Sequence, residues 1–323
     1  MTPSPMEVEA ASTTCSEVLE TIERAVIADR DFLETVLTGS LAKGHVLLED
    51  VPGTGKTLTA RSLARALGLE FNRIQFTPDL LPSDITGSHV FNEQTGEFEF
   101  NPGPIFAHVV LADEINRAPP KTQAALLEAM GEKQVSIGGE TKSLPEPFFV
   151  IATQNPVEQE GTFELPEAQR DRFIIKTSIG YPDAAGEREL LDRRTSRSTA
   201  TPEATQVVDS ETFNELQEVP EYVQVDDKLK DYIVDLGRRT REHQAVKAGV
   251  SPRGIQRLLE ASRARAVISG RNYVVPDDIK SIAPPVITHR LVLTADATVE
   301  GISKRDVTKS VLNSVNVPAM DAV

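Results

Sequence analysis

The chain has 323 residues, of which 39% are hydrophobic, and its formal net charge at pH 7 is −15. This hydrophobic content is enough for a buried core, so the composition excludes a chain that is disordered throughout. The acidic balance disfavours a general nucleic-acid binder, because phosphate contacts need clustered lysines and arginines. It is typical of a surface kept soluble by self-repulsion or, alternatively, of a protein from a high-salt cytoplasm.

The sequence also indicates the cellular compartment in which the protein is expected. It contains a single cysteine, Cys15, so no disulfide can form within the chain, as expected in a reducing compartment. No apolar run is long enough to cross a bilayer, and the N-terminus lacks the basic and apolar regions of a signal peptide. We therefore predict a cytoplasmic protein without membrane insertion.

The chain begins with a segment, residues 1–15, whose Ser, Thr, Pro and Glu content predicts a disordered tail. Helices are expected from Ser16 and from Asp31. Strands and helices then alternate up to residue 182, which predicts an α/β domain with a parallel sheet. Its strands are expected at 46–48, 71–75, 108–112, 148–153 and 173–179, with two hairpins at 89–100 and 134–139. Residues 183–323 show only helical periodicity and predict a smaller helical domain, with a linker-like segment at 195–210.

A glycine-bearing loop between the first strand and the next helix predicts a phosphate site. Gly53 and Gly55 precede Lys56 and Thr57, at the point where backbone N–H groups and the helix dipole favour an anion. Lys56 is expected to reach the terminal phosphates of ATP, and the Thr57 hydroxyl to hold Mg²⁺. The match to the P-loop pattern is incomplete, because its first glycine falls on Asp50. A Gly-rich surface turn is therefore the alternative.

Two acidic residues follow the strand at 108–112. Asp113 is expected to hold Mg²⁺, directly or through water, and Glu114 to orient and deprotonate the attacking water. The alternative for the pair alone is an ordinary acidic turn. Because parallel strands gather their carboxyl ends along one edge, both residues are expected beside the P-loop.

Three further residues suit the same chemistry. Asn155 follows the strand at 148–153, and its amide is expected to bind the γ-phosphate or the water. Arg172, just before the last strand, is a candidate arginine finger for a neighbouring subunit, or else a surface ion-pair partner of Asp171 or Glu167. Arg253 lies in the first turn of a helix capped by Ser251, where a cation opposes the dipole, so we expect a phosphate to face it.

With these residues placed, the chain resembles the MoxR family of AAA+ ATPases from about Val26 to Leu291. The motifs that carry the resemblance are 48–57, 112–123, 152–156, 165–173 and Ser251-Pro252-Arg253. It implies a P-loop AAA+ domain with a five-stranded parallel sheet between helices, followed by a small all-α lid. It identifies Asp113 and Glu114 as Walker B, Asn155 as sensor 1, Arg172 as the trans-acting finger and Arg253 as sensor 2. The implied nucleotide-binding residues are Pro52, Gly53, Thr54, Gly55, Lys56, Thr57 and Leu58.

The resemblance further implies ATP and Mg²⁺ as cofactors and a hexameric ring with the two hairpins facing the pore or a partner. Family members are chaperone-like ATPases that mature other proteins, often beside a von Willebrand factor A-domain protein. Two positions depart from the family pattern. Arg170 stands where an apolar residue is usual, so either Arg170 or Arg172 is the finger, and Asp29-Arg30 replaces the usual Gly-Gln.

Two other functions are compatible with such a site. One is a motor or regulator that acts on nucleic acid or transcription complexes, but the acidic charge and the lack of a basic, aromatic-interleaved patch argue against it. The other is a nucleotide-dependent scaffold without turnover, which the two Walker B carboxylates disfavour. Hydrolysis of ATP to remodel a protein partner is therefore the leading prediction.

Overall fold

The computed structural model describes residues 6–156, 161–196 and 204–319, and within them the predicted parallel sheet is present. The strands of the first domain, in chain order, are β1 (His45–Glu49), β2 (Phe71–Gln75), β3 (Gly87–Asn92), β4 (Glu97–Pro102), β5 (Val109–Asp113), β6 (Gln134–Ile137), β7 (Glu140–Ser143), β8 (Phe149–Gln154) and β9 (Phe173–Thr177). Five of them form one sheet in the order β2-β5-β8-β1-β9, with every neighbouring pair parallel. The two predicted hairpins are the antiparallel pairs β3–β4 and β6–β7.

Helices pack on both faces of the sheet. Those of the first domain are α1 (Val8–Ala25), α2 (Arg30–Leu41), α3 (Lys56–Ala66), α4 (Pro82–Thr86), α5 (Pro120–Glu132) and α6 (Glu167–Arg170). Successive residues of a strand point to opposite faces. Leu111 of β5 accordingly belongs to a core shared with α1, α2 and α3, whereas Val110 and Ala112 belong to a second core shared with α5. Burial on both faces explains why the central strands are uniformly apolar.

The second domain is helical apart from one short pair of strands. Its elements are α7 (Ala184–Ser196), α8 (Ser210–Glu218), α9 (Asp227–Glu242), β10 (Val246–Ala248), α10 (Pro252–Ile268), α11 (Pro276–Ile287), β11 (Val292–Leu293), α12 (Ala295–Val299) and α13 (Lys304–Ser314). The antiparallel pair β10–β11 was not predicted. Of the linker predicted at 195–210, residues 197–203 lie outside the described residues, whereas Thr195 and Ser196 belong to the last turn of α7 and Ser210 begins α8. No helix in the described parts of the chain has the length and apolar character needed to cross a bilayer.

The prediction of a disordered tail is wrong for residues 8–15, which form the first two turns of α1. Ala11 and Cys15 of this segment are buried, and the Ser12 hydroxyl donates to the carbonyl of Ile268 in α10. Burial also raises the pKa of the Cys15 thiol to about 12. The partner surface is supplied by a helix some 250 residues further along the chain, so a local reading of composition does not detect it.

Helix ends also differ from the predicted stops. Helix α11 continues through Pro284 and Pro285 to Ile287, and Val286 and Ile287 are fully buried. Helix α5 passes Gly131 and ends where Lys133 adopts a positive φ of 51°. In α11 burial of the last turn outweighs the local preference to stop, whereas α5 exceeds its predicted stop by a single exposed residue, Glu132.

A buried histidine joins the sheet to α5. The Nδ1 atom of His45 accepts a hydrogen bond from the Val150 N–H at 3.0 Å, so Nε2 carries the proton that it donates to the Met130 carbonyl at 3.1 Å. This bonding suits the neutral ring. Burial lowers the pKa of His45 from 6.5 to about 4.

We therefore expect His45 to make folding pH-dependent. Between pH 6.5 and pH 4 the unfolded chain binds a proton at His45 that the folded chain does not, so the free energy of unfolding should fall by about 3 kcal/mol as the pH is lowered. Urea denaturation at a series of pH values across this range should show that the free energy of unfolding changes less steeply with pH for His45→Gln than for the wild type. The control His243→Gln should keep the wild-type slope; equal slopes for His45→Gln and the wild type would contradict the prediction.

Candidate active site

The P-loop between β1 and α3 has the backbone conformation of an anion cradle. Gly53 and Gly55 have φ angles of 87° and 94°, a region that L side chains avoid, and no heavy atom lies within 4 Å of the position of a Cβ at either residue. Space is therefore open above the loop. Thr57 and Leu58 lie in the first turn of α3, whose N-terminal N–H groups favour a phosphate.

Lys56 is held by its own loop. Its Nζ donates to the carbonyls of Asp50 and Val51 at 2.7 and 2.8 Å. Partial burial is the main cause that lowers the pKa of Lys56, and the nearby carboxylates of Asp50, Asp113 and Glu114 oppose that shift. The structure thus brings Lys56 and both predicted Walker B residues into one electrostatic environment.

Asp50, which replaces the first glycine of the P-loop pattern, points away from the cradle. Its carboxylate accepts hydrogen bonds from the backbone N–H groups of Ile179 and Gly180, which follow β9. Asp50 therefore ties the P-loop to the neighbouring strand, so the incomplete motif does not place a carboxylate against a phosphate.

Both predicted Walker B carboxylates lie at the carboxyl end of β5. Asp113 is the last residue of the strand and is 7% exposed. Glu114 follows with a φ of 57°, an unfavourable conformation for a residue other than glycine. Such backbone strain clusters at functional sites, where the surrounding structure holds it in place.

Side chains from β2 bond to both carboxylates. Arg73 donates to Asp113 Oδ2 through Nε at 3.0 Å and through Nη2 at 2.6 Å. Gln75 donates to Glu114 Oε2 at 3.0 Å, and Arg117 reaches the same oxygen at 2.9 Å. Sequence reasoning missed these partners, although Arg73 and Gln75 alternate along a predicted strand next to β5.

Thr153, at 0% exposure, is a second group that sequence reasoning missed. Its hydroxyl donates to Asp113 Oδ1 at 2.6 Å and accepts from the Glu114 N–H at 2.8 Å. One side chain of β8 therefore fixes both residues of the acidic pair. The feature of the sequence that could have identified Thr153 is its position, one residue before the end of a strand that neighbours β5.

We expect Thr153→Val to weaken Mg²⁺-dependent ATP turnover by about 10- to 100-fold, because it removes a bond that orients Asp113, the predicted magnesium ligand. Thr153→Ser retains the hydroxyl and should stay near wild-type activity. Steady-state rates measured over a magnesium titration will separate a loss of metal affinity from a loss of maximal rate. Equal activity of the Val and Ser variants would contradict this role for Thr153.

Asn155 lies one residue beyond β8 and is 5% exposed. It stands on the strand next to β5, at the same edge of the sheet as Asp113. The residues that follow Pro156, 157–160, lie outside the described residues. The structure thus places Asn155 at the edge where the sequence predicts it.

The predicted arginines lie elsewhere. Arg172 precedes β9 and donates to the carbonyl of Leu127 in α5 of its own chain, so it does not project outward as the sequence analysis expected. Arg253 is exposed in the first turn of α10, which Ser251 caps as predicted. Its charge acts on Arg290, the ion-pair partner of Asp171.

These contacts position Arg172 and Arg253 at the amino end of β9, whereas the P-loop lies at the carboxyl end of β1. A five-residue strand separates the two edges by about 15 Å. The arginines are therefore not gathered around the P-loop of their own chain.

Arg290 connects the two domains and was not predicted. It is buried, pairs with Asp171 at 2.7 Å and donates to the Phe173 carbonyl at 2.8 Å. Burial lowers its pKa to about 10, against the opposing influence of the Asp171 carboxylate. This clamp fixes the helical domain against β9.

The residues at the carboxyl edge suit magnesium and a triphosphate. No group of three or more His, Cys, Asp or Glu side chains that could hold a metal occurs in the parts of the chain that the structure describes. A magnesium ion usually keeps several waters and binds one or two protein ligands plus phosphates, so Thr57 and Asp113 are a sufficient set. The open glycine loop offers the phosphate site that this arrangement needs.

Comparison with known proteins gives a consistent family. Residues 45–175 match the model of the ATPase family associated with various cellular activities, and residues 238–311 match an AAA lid domain. The Bacillus subtilis protein YeaC is 49% identical over 94% of both chains. Chaperone MoxR1 of Mycobacterium tuberculosis is 43% identical over 96% of this chain and 84% of its own length.

A solved structure extends the likeness to three dimensions. A protein from Cytophaga hutchinsonii, described as a candidate ATPase, superposes with a TM-score of 0.89 at 40% identity and covers 96% of both chains. Protein MoxR of Paracoccus denitrificans is 34% identical over 83% of this chain and 86% of its own length. The sequence and structural relatives thus agree over both domains.

Proposed function

Because this chain belongs to the MoxR family of AAA+ ATPases and is an ATP hydrolase, we propose that it binds Mg²⁺ and ATP at the P-loop and uses hydrolysis to remodel a protein partner. The observation that carries the proposal is the convergence of Lys56, Asp113 and Glu114 at one edge of the sheet. The active assembly is a homo-oligomeric ring, of six subunits by the family resemblance.

Each residue has a distinct task in this mechanism. The P-loop amides and Lys56 bind the β- and γ-phosphates, once Lys56 exchanges its two loop carbonyls for phosphate oxygens. Thr57 and Asp113 hold the magnesium, which when bound neutralises charge on the phosphates. Glu114 takes a proton from the attacking water, and Asn155 hydrogen-bonds that water or the γ-phosphate.

The arginines act between subunits. Arg172 and Arg253 lie at the edge away from their own P-loop, which supports a role on the nucleotide of the adjacent protomer. In a ring, the amino end of β9 in one subunit then faces the P-loop of the next. Removal of either arginine is expected to impair the neighbour's site.

The surface of the β3–β4 hairpin favours the binding of a protein partner. Phe98 and Phe91 are 69% and 51% exposed and their rings contact each other with centroids 5.3 Å apart. A paired aromatic patch at the tip of a hairpin is unusual on a free surface and suits an apolar segment of a client. By the resemblance, the companion is a von Willebrand factor A-domain protein.

Calorimetry tests the nucleotide site. Titration of ATP with Mg²⁺ should give heat of association with the wild type and none with Lys56→Ala, because the variant removes the lysine charge from the P-loop. The exposed-lysine variant Lys121→Ala is the control and should bind like the wild type. An absence of binding by the wild type would overturn the proposal.

A further inference from the structure

Asp50 is held by three separate contacts where the P-loop meets the rest of the fold. Its N–H donates to the carbonyl of Gln154 at the end of β8 at 3.2 Å, and its carbonyl accepts from Lys56 Nζ at 2.7 Å. Its carboxylate accepts from the N–H groups of Ile179 and Gly180. The N–H, the carbonyl and both carboxylate oxygens of Asp50 are therefore engaged, and the residue is buried.

The side chain of Asp50 is not part of the P-loop pattern. The pattern has glycine at this position, so the phosphate cradle needs no side chain there. Burial of a carboxylate is costly unless it is hydrogen-bonded, and two N–H groups stabilise this one through charge-assisted bonds. A buried carboxylate that the cradle does not need indicates a role in the segment that it binds.

That segment, residues 178–183, connects β9 to α7 and thereby connects the two domains. We call it the interdomain segment. Gly180 bends it with a φ of 72°, and no heavy atom lies within 4 Å of the position of a Cβ there. Glycine allows many other backbone conformations, so the bonds to Asp50 are needed to hold the segment in this one.

A cavity of about 810 Å³ adjoins this contact. Glu49, which directly precedes Asp50, lines the cavity together with Ile179, and Phe32 of α2 and Pro285 of α11 add apolar surface. Its volume falls within the range of small-molecule sites. A nucleotide whose phosphates bind the P-loop therefore has room for its nucleoside here, between the interdomain segment and the helical domain.

We propose that Asp50 is a positioning residue for the nucleoside of ATP. Its carboxylate holds Ile179 and Gly180 as one wall of the cavity, and its carbonyl joins that wall to Lys56. This inference rests on the proposed binding of ATP at the P-loop. Without the carboxylate, two N–H groups lose their acceptor and the wall is free to move, whereas the loop amides and Lys56 still bind phosphate.

Calorimetry on the full chain tests this role by comparing ADP with inorganic tripolyphosphate, both in the presence of Mg²⁺. Tripolyphosphate reports on the P-loop alone, whereas ADP also needs the cavity wall. Asp50→Gly restores the glycine of the P-loop pattern. We expect it to weaken ADP binding by about 10-fold, the effect of one hydrogen bond to a charged group, and tripolyphosphate binding by less than about 2-fold. Asp50→Asn keeps one acceptor oxygen and should bind ADP with an intermediate affinity.

Hydrogen exchange and a matched control separate positioning from a general loss of stability. Amide exchange measured by mass spectrometry should be faster across the interdomain segment in Asp50→Gly than in the wild type. The control is Asp209→Gly, which removes the N-cap carboxylate of α8, a group that also accepts two hydrogen bonds, both from Thr212, and lies outside the cavity. It should lower the melting temperature and leave ADP binding and the exchange of the interdomain segment unchanged.

Equal weakening of ADP and tripolyphosphate binding by Asp50→Gly would overturn the inference, because Asp50 would then shape the phosphate cradle. Unchanged ADP binding, or an equal loss in Asp209→Gly, would overturn it as well. In these cases the wild type still binds ADP, so the proposed function stands. A wild type that binds neither ligand would overturn the proposed function and this inference together. If Asp50→Gly does not fold, Asp50→Asn provides the comparison of the two ligands.

Discussion

Glu114→Gln is expected to leave ATP affinity unchanged and to lower the turnover rate by about 10²- to 10⁴-fold, the range that a general base contributes. The substitution removes the carboxylate that accepts the proton but keeps an amide of the same shape. Gln75 and Arg117, which now donate to Glu114 Oε2, can still donate to the amide oxygen. Binding by calorimetry and phosphate release in single turnover measure the two quantities separately.

Glu128→Gln is the matched control, because Glu128 is an exposed acid on α5 outside the site. It should retain wild-type turnover. Hydrolysis by Glu114→Gln at the wild-type rate would show that another group activates the water. The same variant, loaded with ATP, is also the form in which a bound client should persist through purification.

The sequence predicts most of the sheet edge because the relevant signals are local. A uniformly apolar strand followed by a polar residue is visible in the chain itself, so the sequence alone predicts where Asp113, Glu114 and Asn155 lie. The P-loop follows from two glycines and a lysine at fixed spacing. Even Asp50, which breaks the pattern, could be named as a departure, although only the structure shows its bonds to Ile179 and Gly180.

The features that could not be predicted depend on contacts between distant segments. Helix α1 begins eight residues before its predicted start because Ala11 and Cys15 pack within the core that α1 shares with α10. Nothing in the sequence indicates that Asp171 is the ion-pair partner of Arg290. Strand order likewise decides that Thr153 meets Asp113, since β8 and β5 are neighbours only in the folded sheet.

The two arginines also depend on an arrangement that the sequence does not reveal. Residue type and position suggest that Arg253 faces a phosphate, yet the P-loop of its own chain lies at the other edge of the sheet. A site that needs two protomers is incomplete in each one. The geometry of a single chain therefore shows where such a residue lies, and the function of the residue has to be tested in mixtures of subunits.

Arg172→Ala is expected to lower ATP turnover by about 10³-fold, the lower end of what an arginine finger contributes, while ATP binding is preserved. Rings that mix this variant with Glu114→Gln should recover activity. In such a ring, the intact P-loop and Glu114 of one subunit meet the intact Arg172 of the next, so some sites are complete. Phosphate release measured over a series of mixing ratios gives the recovered fraction.

The own-chain bond from Arg172 to the Leu127 carbonyl makes a structural role the competing explanation. If Arg172 only fastens α5 to the segment before β9, its removal lowers the melting temperature and mixing restores nothing. If Arg170 is the finger instead, Arg170→Ala gives the large loss and the rescue, and Arg172→Ala neither. Rescue confined to Arg172→Ala, with an unchanged melting temperature, requires that the guanidinium leaves Leu127 when a neighbouring subunit presents its nucleotide.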